Sequence, residues 1–510
     1  MLDTLAQAMA LVGTPTTLLA ILLSCAFGLF VGAIPGLSAT MATALLVPFT
    51  FYLDPIPAIA TVIACTTMAI TAGDIPAALL RIPGTPSSAA YTDEAHAMTR
   101  KGGGGQALGT LLVSAFLGGL FGFAVLAIAA PALATAALRF SSFEYFWLAV
   151  LGLSCCALVT GGSLAKSTFA LFVGLLASCV GMDPLTGAAR LTFGSTNLMG
   201  GLSFVPAMIG LFAISELMNG TQTGATGGVT RIRNPFAGVG TILRRYRVNL
   251  LRGAGLGTLI GALPGAGGDL GAWISYANAR RASKTPEKFG TGHPEGLVEA
   301  GATNNAALCS AWIPATVFGV PGDAVTAIAV GVLFMKGLNP GPQLLTENPQ
   351  NFYAVILIFL IANLLILPLG YLAIRAAGLI FSVPRAYLNG GILLFCAIGA
   401  FSVNNSLFDV GVMIGFGIMA WIFSRAAIPV APVILGLVMG PLVERNFLTS
   451  MIASRGDFLG FFERPVSATL GVVTLLVWLI PLARIAWRKI SATRSLRHAE
   501  AHASRHPETH

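Results

Sequence analysis

Charged residues are scarce in this chain. Only 10% of its 510 residues are Asp, Glu, Lys or Arg, against about 25% in an average soluble protein. So few charges cannot cover the surfaces of several soluble domains, which excludes such an organisation. Apolar residues make up 55% of the chain and form runs long enough, as helices, to cross a hydrocarbon core of roughly 30 Å. These features predict an all-α polytopic membrane protein.

The sequence also lacks the residues on which enzymes and cofactor-binding proteins depend. It contains no phosphate-binding loop of the Gly-x-x-x-x-Gly-Lys-Ser/Thr type, which argues against ATP hydrolysis. Outside the tail the histidines are His96 and His293, so no histidine-based zinc or catalytic cluster is expected. The cysteines lie in apolar stretches without metal-ligand spacing and are interpreted as small core residues. We therefore predict no enzyme activity, no bound metal and no cofactor.

The basic residues are concentrated beside apolar segments. No acidic residue occurs between Glu216 and Asp269, a stretch that contains several arginines, and a second basic region follows the last apolar run. Basic loops stay on the cytoplasmic side of a membrane, so both regions are predicted to be cytoplasmic. The net charge of +9 therefore indicates topology and not a nucleic-acid partner. The N-terminal segment, which lacks Lys and Arg, is predicted to be periplasmic.

Three sequence blocks occur twice, in the same order. The matched pairs are Gly28–Gly36 with Gly257–Gly265, Ile75–Gly84 with Ile313–Gly322, and Pro206–Leu211 with Pro432–Leu437. An outside N-terminus, a cytoplasmic linker and a cytoplasmic tail fit seven crossings in the first half, then seven plus one additional helix after the linker. An odd number of crossings in each half inverts the second half relative to the first. The predicted fold is therefore two inverted structural repeats with helices that Pro-Gly breaks interrupt or make re-entrant. Segments 39–53 and 269–279 are the candidates for re-entrant helices.

This organisation divides the chain into six parts. They are a short segment 1–17, a first membrane repeat 18–220, an Arg-rich cytoplasmic linker 221–252, a second membrane repeat 253–445, an additional transmembrane helix 466–487 and a basic cytoplasmic tail 488–510. Membrane lipids surround the two repeats in this arrangement.

Each half contains two Pro-Gly breaks within apolar sequence. Proline removes a backbone donor and glycine permits unusual dihedral angles, so the helix should stop there. The helix that restarts directs free N–H groups toward the break, where a carboxylate can bind. The alternative, small-residue packing with a proline kink, is less favoured because the breaks recur at matched positions. The predicted substrate-binding residues are Pro35, Gly36, Leu37, Ser38, Pro83, Gly84, Thr85, Ser87, Pro264, Gly265, Ala266, Asn304, Asn305, Pro321 and Gly322.

Three aspartates lie close to these breaks and are predicted to couple transport to an ion. An acidic residue among apolar segments is costly and points to function. Asp323 is the foremost candidate, followed by Asp74 and Asp269, because unwound carbonyls and a carboxylate together form a cation site. For Asp74, two residues before Pro76, an interfacial position is an alternative. Asn304 and Asn305 either bind a carboxylate or Na⁺, or bridge helices, and the sequence does not decide.

Several motifs together are similar to those of one transporter family. They are Gly32-Ala-Ile-Pro-Gly-Leu37, Ile82-Pro-Gly-Thr-Pro-Ser87, Asp183-Pro-Leu-Thr-Gly187, Lys284-Thr-Pro-Glu-Lys-Phe-Gly290 and Gly337-Leu-Asn-Pro-Gly-Pro342. From about residue 18 to 460 the chain resembles the large permease subunit of the tripartite tricarboxylate transporters. The resemblance implies a bacterial inner-membrane permease that works with a periplasmic solute-binding protein and a small membrane subunit. Such systems import citrate-like di- or tricarboxylates, driven by a Na⁺ or H⁺ gradient.

Some positions depart from the family pattern near the expected transport site. Asp323 often corresponds to a small hydroxyl residue in the family, and Asp74 lies where a Gly-Gly-Ser type run is common. These differences suggest a substrate of lower charge, or a different coupling ion. A passive channel for small organic solutes without a binding protein is the alternative function, and a membrane-embedded enzyme is disfavoured by the missing catalytic clusters.

Overall fold

The computed structural model describes residues 2–159, 163–183, 186–219, 234–264, 267–381, 385–481 and 483. This part of the chain is almost entirely helical, and its β structure is one antiparallel pair, Gly181–Met182 with Ala189–Arg190. Six of the described helical segments are long and apolar enough to cross a membrane. They are Pro15–Gly32, Pro55–Leu80, Ser88–Ala137, Pro349–Phe381, Leu407–Arg425 and Ala431–Ala453. The predicted all-α polytopic architecture is confirmed, whereas the inverted relation of the two halves stays a prediction.

The described helices follow one another along the chain in two series, one in each half. In the first half they are α1 Leu2–Val12, α2 Pro15–Gly32, α3 Ala39–Thr50, α4 Pro55–Ala72, α5 Asp74–Leu80, α6 Thr92–Met98, α7 Gly104–Ala137, α8 Ser142–Val159, α9 Leu164–Ser178, α10 Phe204–Ile209 and α11 Ser215–Asn219. In the second half they are α12 Val239–Arg245, α13 Arg247–Gly261, α14 Gly267–Ala282, α15 Pro294–Phe318, α16 Ala324–Met335, α17 Pro342–Glu347, α18 Pro349–Phe381, α19 Arg385–Asn404, α20 Leu407–Arg425, α21 Ala431–Ala453 and α22 Pro465–Pro481. A 3-10 turn, Ser88–Tyr91, leads into α6.

Small residues let α2 lie directly against α4. A Cβ atom at Gly28 would overlap the carbonyl oxygen of Cys65, and one at Gly32 would overlap that of Ala69. From the first contact to the second, both helices advance by four residues, about one turn, in the same direction, so α2 and α4 run parallel. The packing interpretation of this glycine pair is therefore confirmed, and it coexists with a real break, because α2 ends at Gly32.

The matched glycines of the second half repeat this packing. A Cβ atom at Gly257 would overlap the carbonyl oxygen of Thr303, and one at Gly261 would overlap that of Ala307. Both contacts advance by one turn in the same direction, so α13 runs parallel to α15. The repeated blocks of the sequence thus form the same local arrangement in each half.

Helix α14 runs in the opposite direction along α15. Near its start, a Cβ atom at Gly271 would lie 3.1 Å from Cγ2 of Thr303, and near its end, the Asn278 side-chain amide donates to Glu299 Oε1 at 3.0 Å. Helices α13 and α14 therefore form an antiparallel hairpin. With 15 and 16 residues, each is only about 22–24 Å long, too short for a core of roughly 30 Å. This geometry favours the re-entrant interpretation of 269–279.

The C-terminal end of the segment predicted as an Arg-rich linker is helical. Residues 220–233 lie outside the described residues, as does the tail 488–510. However, α13 begins at Arg247, within the segment 221–252 that we predicted as linker. The reason is an ion pair: the Arg252 Nε donates to Oε1 of the fully buried Glu299 at 2.8 Å. An arginine that seemed to mark a loop belongs to the packed bundle.

We expect Arg252→Met to lower the free energy of unfolding by about 3 kcal/mol, because the buried Glu299 charge would lose its cationic partner. Amide donors from Asn249, at 2.8 Å, and Asn278, at 3.0 Å, would remain. Chemical unfolding of the purified protein measures the change. Arg247→Met on the same helix is the matched control, since Arg247 is exposed, and equal losses in both variants would contradict the assignment.

Candidate functional site

The first break of the first half is a tight turn between α2 and α3. Gly36 has φ +85°, a left-handed conformation that favours glycine, and Pro35 and Leu37 are buried. The Ser38 hydroxyl then caps α3 by accepting a hydrogen bond from the Met41 N–H at 3.1 Å. The helix restarts immediately after the break, as predicted.

The second break of the first half meets the first. Gly84 is buried beside Gly73, at the junction of α4 and α5: its N–H donates to the Gly73 carbonyl at 3.2 Å. A Cβ atom at Gly84 would lie 3.0 Å from the carbonyl oxygen of Gly32, at the end of α2. Pro83, by contrast, is exposed. The first half therefore brings its two breaks into one place.

Buried hydroxyl groups follow the second break. The Thr85 and Ser87 hydroxyls are hydrogen-bonded to each other at 3.0 Å, and both residues are buried. The backbone N–H and the hydroxyl of Ser87 also interact with the Asp269 carboxylate. This contact joins a predicted residue of the first half to one of the second.

The first break of the second half forms the tip of the α13–α14 hairpin. Pro264 faces α8: a Cβ atom added at Gly152 of that helix would lie 3.3 Å from the Cβ of Pro264. Gly265 and Ala266 lie outside the described residues. Helix α14 begins at Gly267 with φ +60°, and the exposed Asp269 follows in its first turn.

The last break places Asp323 at the start of α16. Its Oδ1 accepts hydrogen bonds from the Thr326 N–H and hydroxyl, both at 2.7 Å, in a capping box. A Cβ atom at Gly267 would lie 3.1 Å from the Asp323 Cβ, so this carboxylate also lies against the start of α14. Pro321 and Gly322 are buried directly before it. Asp323 therefore has a structural task as a helix cap besides any role with an ion.

Asp74 belongs to a buried hydrogen-bonded chain. The Tyr91 hydroxyl donates to Asp74 Oδ1 at 2.7 Å, and the Asn304 side-chain amide donates to the Tyr91 oxygen at 3.5 Å. Asp74 is 3% exposed, so its carboxylate is buried within the protein. The neighbouring Asn305 donates to the Thr71 hydroxyl at 3.1 Å, which links α15 to α4.

The structure thus gathers predicted residues of both halves around the breaks. Each aspartate lies at a helix start: Asp74 and Asp269 occupy the first turns of α5 and α14, and Asp323 caps α16. A carboxylate there compensates the positive end of the helix. Among the described residues, no lysine, arginine or histidine forms an ion pair with these three aspartates. The site is acidic, and it suits a cation better than an unaccompanied polyanion.

Tyr91 and Glu94 contact the site but were not predicted from the sequence. Glu94 is fully buried and accepts hydrogen bonds from the Tyr276 hydroxyl at 3.1 Å and the Gly292 and His293 N–H groups at 2.7 and 2.8 Å. The Gly290 N–H donates to it as well. One sequence signal could have pointed to the loop that binds Glu94: Gly290 and Gly292 lie close together in it. Successive backbone N–H groups in such a loop can form an anion-binding nest.

Comparison with known proteins agrees with this architecture. Relatives include an uncharacterized 52.8 kDa protein of the TAR-I ttuC' 3' region of Agrobacterium vitis, 35% identical over 476 residues, which span 92% of this chain and 95% of that protein. An uncharacterized protein of the TAR-II ttuC' 3' region of the same organism is 36% identical over 231 residues, 45% of this chain and 96% of that protein. No solved structure matches the chain significantly. Residues 18–435 match the family described as Tripartite tricarboxylate transporter TctA family, so the chain belongs to this transporter family, which is not a class of enzymes.

Proposed function

We propose that this chain is the large transmembrane subunit of a binding-protein-dependent secondary active transporter that imports carboxylates across the bacterial inner membrane. The observation that carries the proposal is the pair of hydrogen bonds that Asn304 and Asn305 of the second half donate to Tyr91 and Thr71 of the first half, which joins the two halves beside the junction of α4 and α5. Transporter sites of this kind form where discontinuous helices meet. A periplasmic solute-binding protein and a small membrane subunit are the proposed partners.

The charge of the site requires a coupled cation. Asp269 and Asp323 repel each other, and a bound carboxylate would add to this repulsion. Like charges within a few ångströms of each other cost on the order of 2 kcal/mol or more at an effective dielectric constant of about 20. A cation, Na⁺ or H⁺, that binds with the substrate removes this cost, so substrate and ion should move together.

Uptake into proteoliposomes tests the proposal. The vesicles contain this chain and its small partner, the binding protein is added with substrate, and Na⁺ and H⁺ gradients are imposed separately. We expect accumulation above the equilibrium level with at least one gradient, and loss of accumulation without the binding protein. Uptake that stops at the equilibrium level and is indifferent to both gradients would contradict an importer and favour a passive channel.

We expect Asp323→Ser to shift the substrate preference toward polyanions. Serine caps a helix about as well as aspartate, so stability should change by about 0.5 kcal/mol or less, while one negative charge leaves the site. The uptake ratio of propane-1,2,3-tricarboxylate to propane-1-carboxylate should rise about tenfold. Competition uptake with this series, which shares one carbon skeleton, measures the ratio. Asp457→Ser is the matched control, since Asp457 caps the 3-10 helix Phe458–Phe462, and an equal rise there would contradict the prediction.

A further inference from the structure

One loop after the β pair presents large apolar side chains outside the α-helices. It runs from Leu191 to Gly201 and includes Phe193, which is 88% exposed, and Leu191 and Met199, each 43% exposed. Irregular backbone does not face the hydrocarbon of a bilayer, because its polar groups would lack partners there. The loop therefore faces water or another protein, where exposed apolar side chains are typical of an interaction surface.

The conformation of Phe193 costs free energy without a structural benefit. Phe193 and Gly194 are the central residues of a turn, which the Ser195 N–H closes by donating to the Thr192 carbonyl at 2.8 Å. Their φ angles are +48° and +78°, as in a type I′ turn, which favours Asn-Gly at these positions. A bulky residue at positive φ is strained, and a ring that is 88% exposed adds little to the core. Strain of this kind points to a function.

The basic residues of the second half identify one face of the membrane. Helix α13 begins at Arg247, and α14 ends directly after Arg281. The start of α15 lies with both, since Glu295 accepts hydrogen bonds from the Asn249 amide at 3.1 Å and the Ser283 hydroxyl at 2.6 Å. Basic segments stay on the cytoplasmic side, so we place this end of the bundle in the cytoplasm.

Helix α7 leads from this face to the other one. Lys101, just before α7, donates to the Thr291 carbonyl at 2.6 Å, which places the start of α7 beside the start of α15. Farther along, a Cβ atom at Gly118 would overlap the Ala302 carbonyl oxygen, so the two helices run parallel. With 34 residues, α7 is about 50 Å long and exceeds a hydrocarbon core of roughly 30 Å. Its end therefore lies on the periplasmic face.

Two contacts attach the loop to the periplasmic face. Ser142, at the start of α8 and close after the end of α7, is hydrogen-bonded to Ser450 near the end of α21 at 2.8 Å. Arg190, directly before the loop, donates from Nη2 to Oε2 of Glu444 on the same helix at 3.1 Å. Glu444 and Ser450 are about 9 Å apart along α21. The loop is thus accessible from the periplasm and not from the cytoplasm.

The loop adjoins a cavity that can hold a small solute. Its last residue, Gly201, lines an open cavity of about 490 Å³ together with Ser178, Met335 and Asn404, the last residues of α9, α16 and α19. Small-molecule sites usually have volumes of about 300–1,000 Å³. Asp323 caps the other end of α16, so one helix connects the cavity with an aspartate of the candidate site.

We propose that the loop 191–201, with Phe193 as its anchor, is the surface on which the periplasmic solute-binding protein docks to release its solute into this cavity. The proposal rests on the proposed function and deepens it by assigning the contact surface of one partner. A soluble periplasmic protein can reach the loop, and aromatic anchors dominate the energetics of protein contacts. The adjoining cavity favours this partner over the small membrane subunit, whose contact needs no passage for a solute.

The test is the affinity of the full-length chain in lipid nanodiscs for the purified solute-binding protein loaded with propane-1,2,3-tricarboxylate, measured by biolayer interferometry. We expect Phe193→Asn to raise Kd about tenfold without lowering the unfolding midpoint, because Asn-Gly suits the turn. In proteoliposomes, the half-saturating concentration of binding protein should rise equally while the maximal uptake rate stays the same. Phe193→Tyr should behave as the wild type. Phe172→Ala is the control, since it removes a 62% exposed ring from α9, and its Kd should not change.

Two results would overturn the surface. One is a Phe193→Asn variant with the Kd of the wild type, and the other is a variant that loses the small membrane subunit on purification while its affinity for the binding protein is kept. The failure of this surface is distinguishable from that of the importer. Gradient-driven accumulation with an unchanged Kd in Phe193→Asn would refute the surface alone. A raised Kd in that variant, with no accumulation by the wild type under either gradient, would refute the importer alone.

Discussion

Replacing Glu94 with alanine should lower the free energy of unfolding by about 4 kcal/mol and abolish uptake. The Glu94 carboxylate is fully buried and accepts hydrogen bonds from the Gly292 and His293 N–H groups at 2.7 and 2.8 Å. Its removal would leave these backbone donors, and that of Gly290, without an acceptor in the interior. Each such orphan costs about 1–3 kcal/mol. Chemical unfolding and proteoliposome uptake measure the two effects.

The neighbouring Asp93 provides the control for this variant. Its ion pair with Arg81 spans 2.8 Å, but the side chains are 68% and 65% exposed, and such surface pairs contribute about 0–1 kcal/mol. Asp93→Ala should therefore leave the unfolding free energy within about 0.5 kcal/mol of the wild type. If Glu94→Ala proved as mild as Asp93→Ala, the loop 290–293 would not be a binding site for this carboxylate.

Valine in place of Gly257 should destabilise the protein by about 3 kcal/mol, because the added side chain overpacks a contact between backbones. A Cβ atom there would lie 2.5 Å from the Thr303 carbonyl oxygen, which cannot rotate away as a side chain could. Helices α13 and α15 would have to separate, and the tip of the α13–α14 hairpin would move with them. Unfolding midpoints and size-exclusion profiles of the purified variant measure the loss.

The same helix supplies a matched substitution. Gly255 lies two residues earlier in α13, and a Cβ atom there has no neighbour within 4 Å. The helix propensity of valine is the same at both positions, so the difference between Gly255→Val and Gly257→Val isolates the packing term. Equal stabilities of the two variants would show that α13 does not pack closely on α15.

The sequence was sufficient to predict the helix breaks, because proline and glycine act on the backbone where they stand. Thus α2 ends at Gly32 and α3 restarts after Ser38, as the first Pro-Gly pair implies. The scarcity of acidic residues in apolar sequence also drew attention to Asp74, which is buried in the structure. Local chemistry is sufficient for such features.

Features that depend on distant partners could not be predicted in this way. The partners of Glu94 are mostly backbone N–H groups about 200 residues away, and backbone groups carry no sequence signature. Arg252 resembled a loop residue because charge alone does not show that a buried Glu299 lies opposite. The capping role of Asp323 depends on Thr326 three residues later, a local pattern that was present in the sequence but was not used.

The short segment between the second Pro-Gly break of the first half and α7 connects two parts of the protein mechanically. Tyr91 and Glu94 are three residues apart, and one bonds Asp74 while the other bonds the loop 290–293 of the second half. A shift of this segment must therefore change both attachments together. Since free-energy coupling between two sites is reciprocal, if release of the loop weakens the Tyr91–Asp74 contact by some factor, loss of the Tyr91–Asp74 contact weakens the hold on the loop by the same factor.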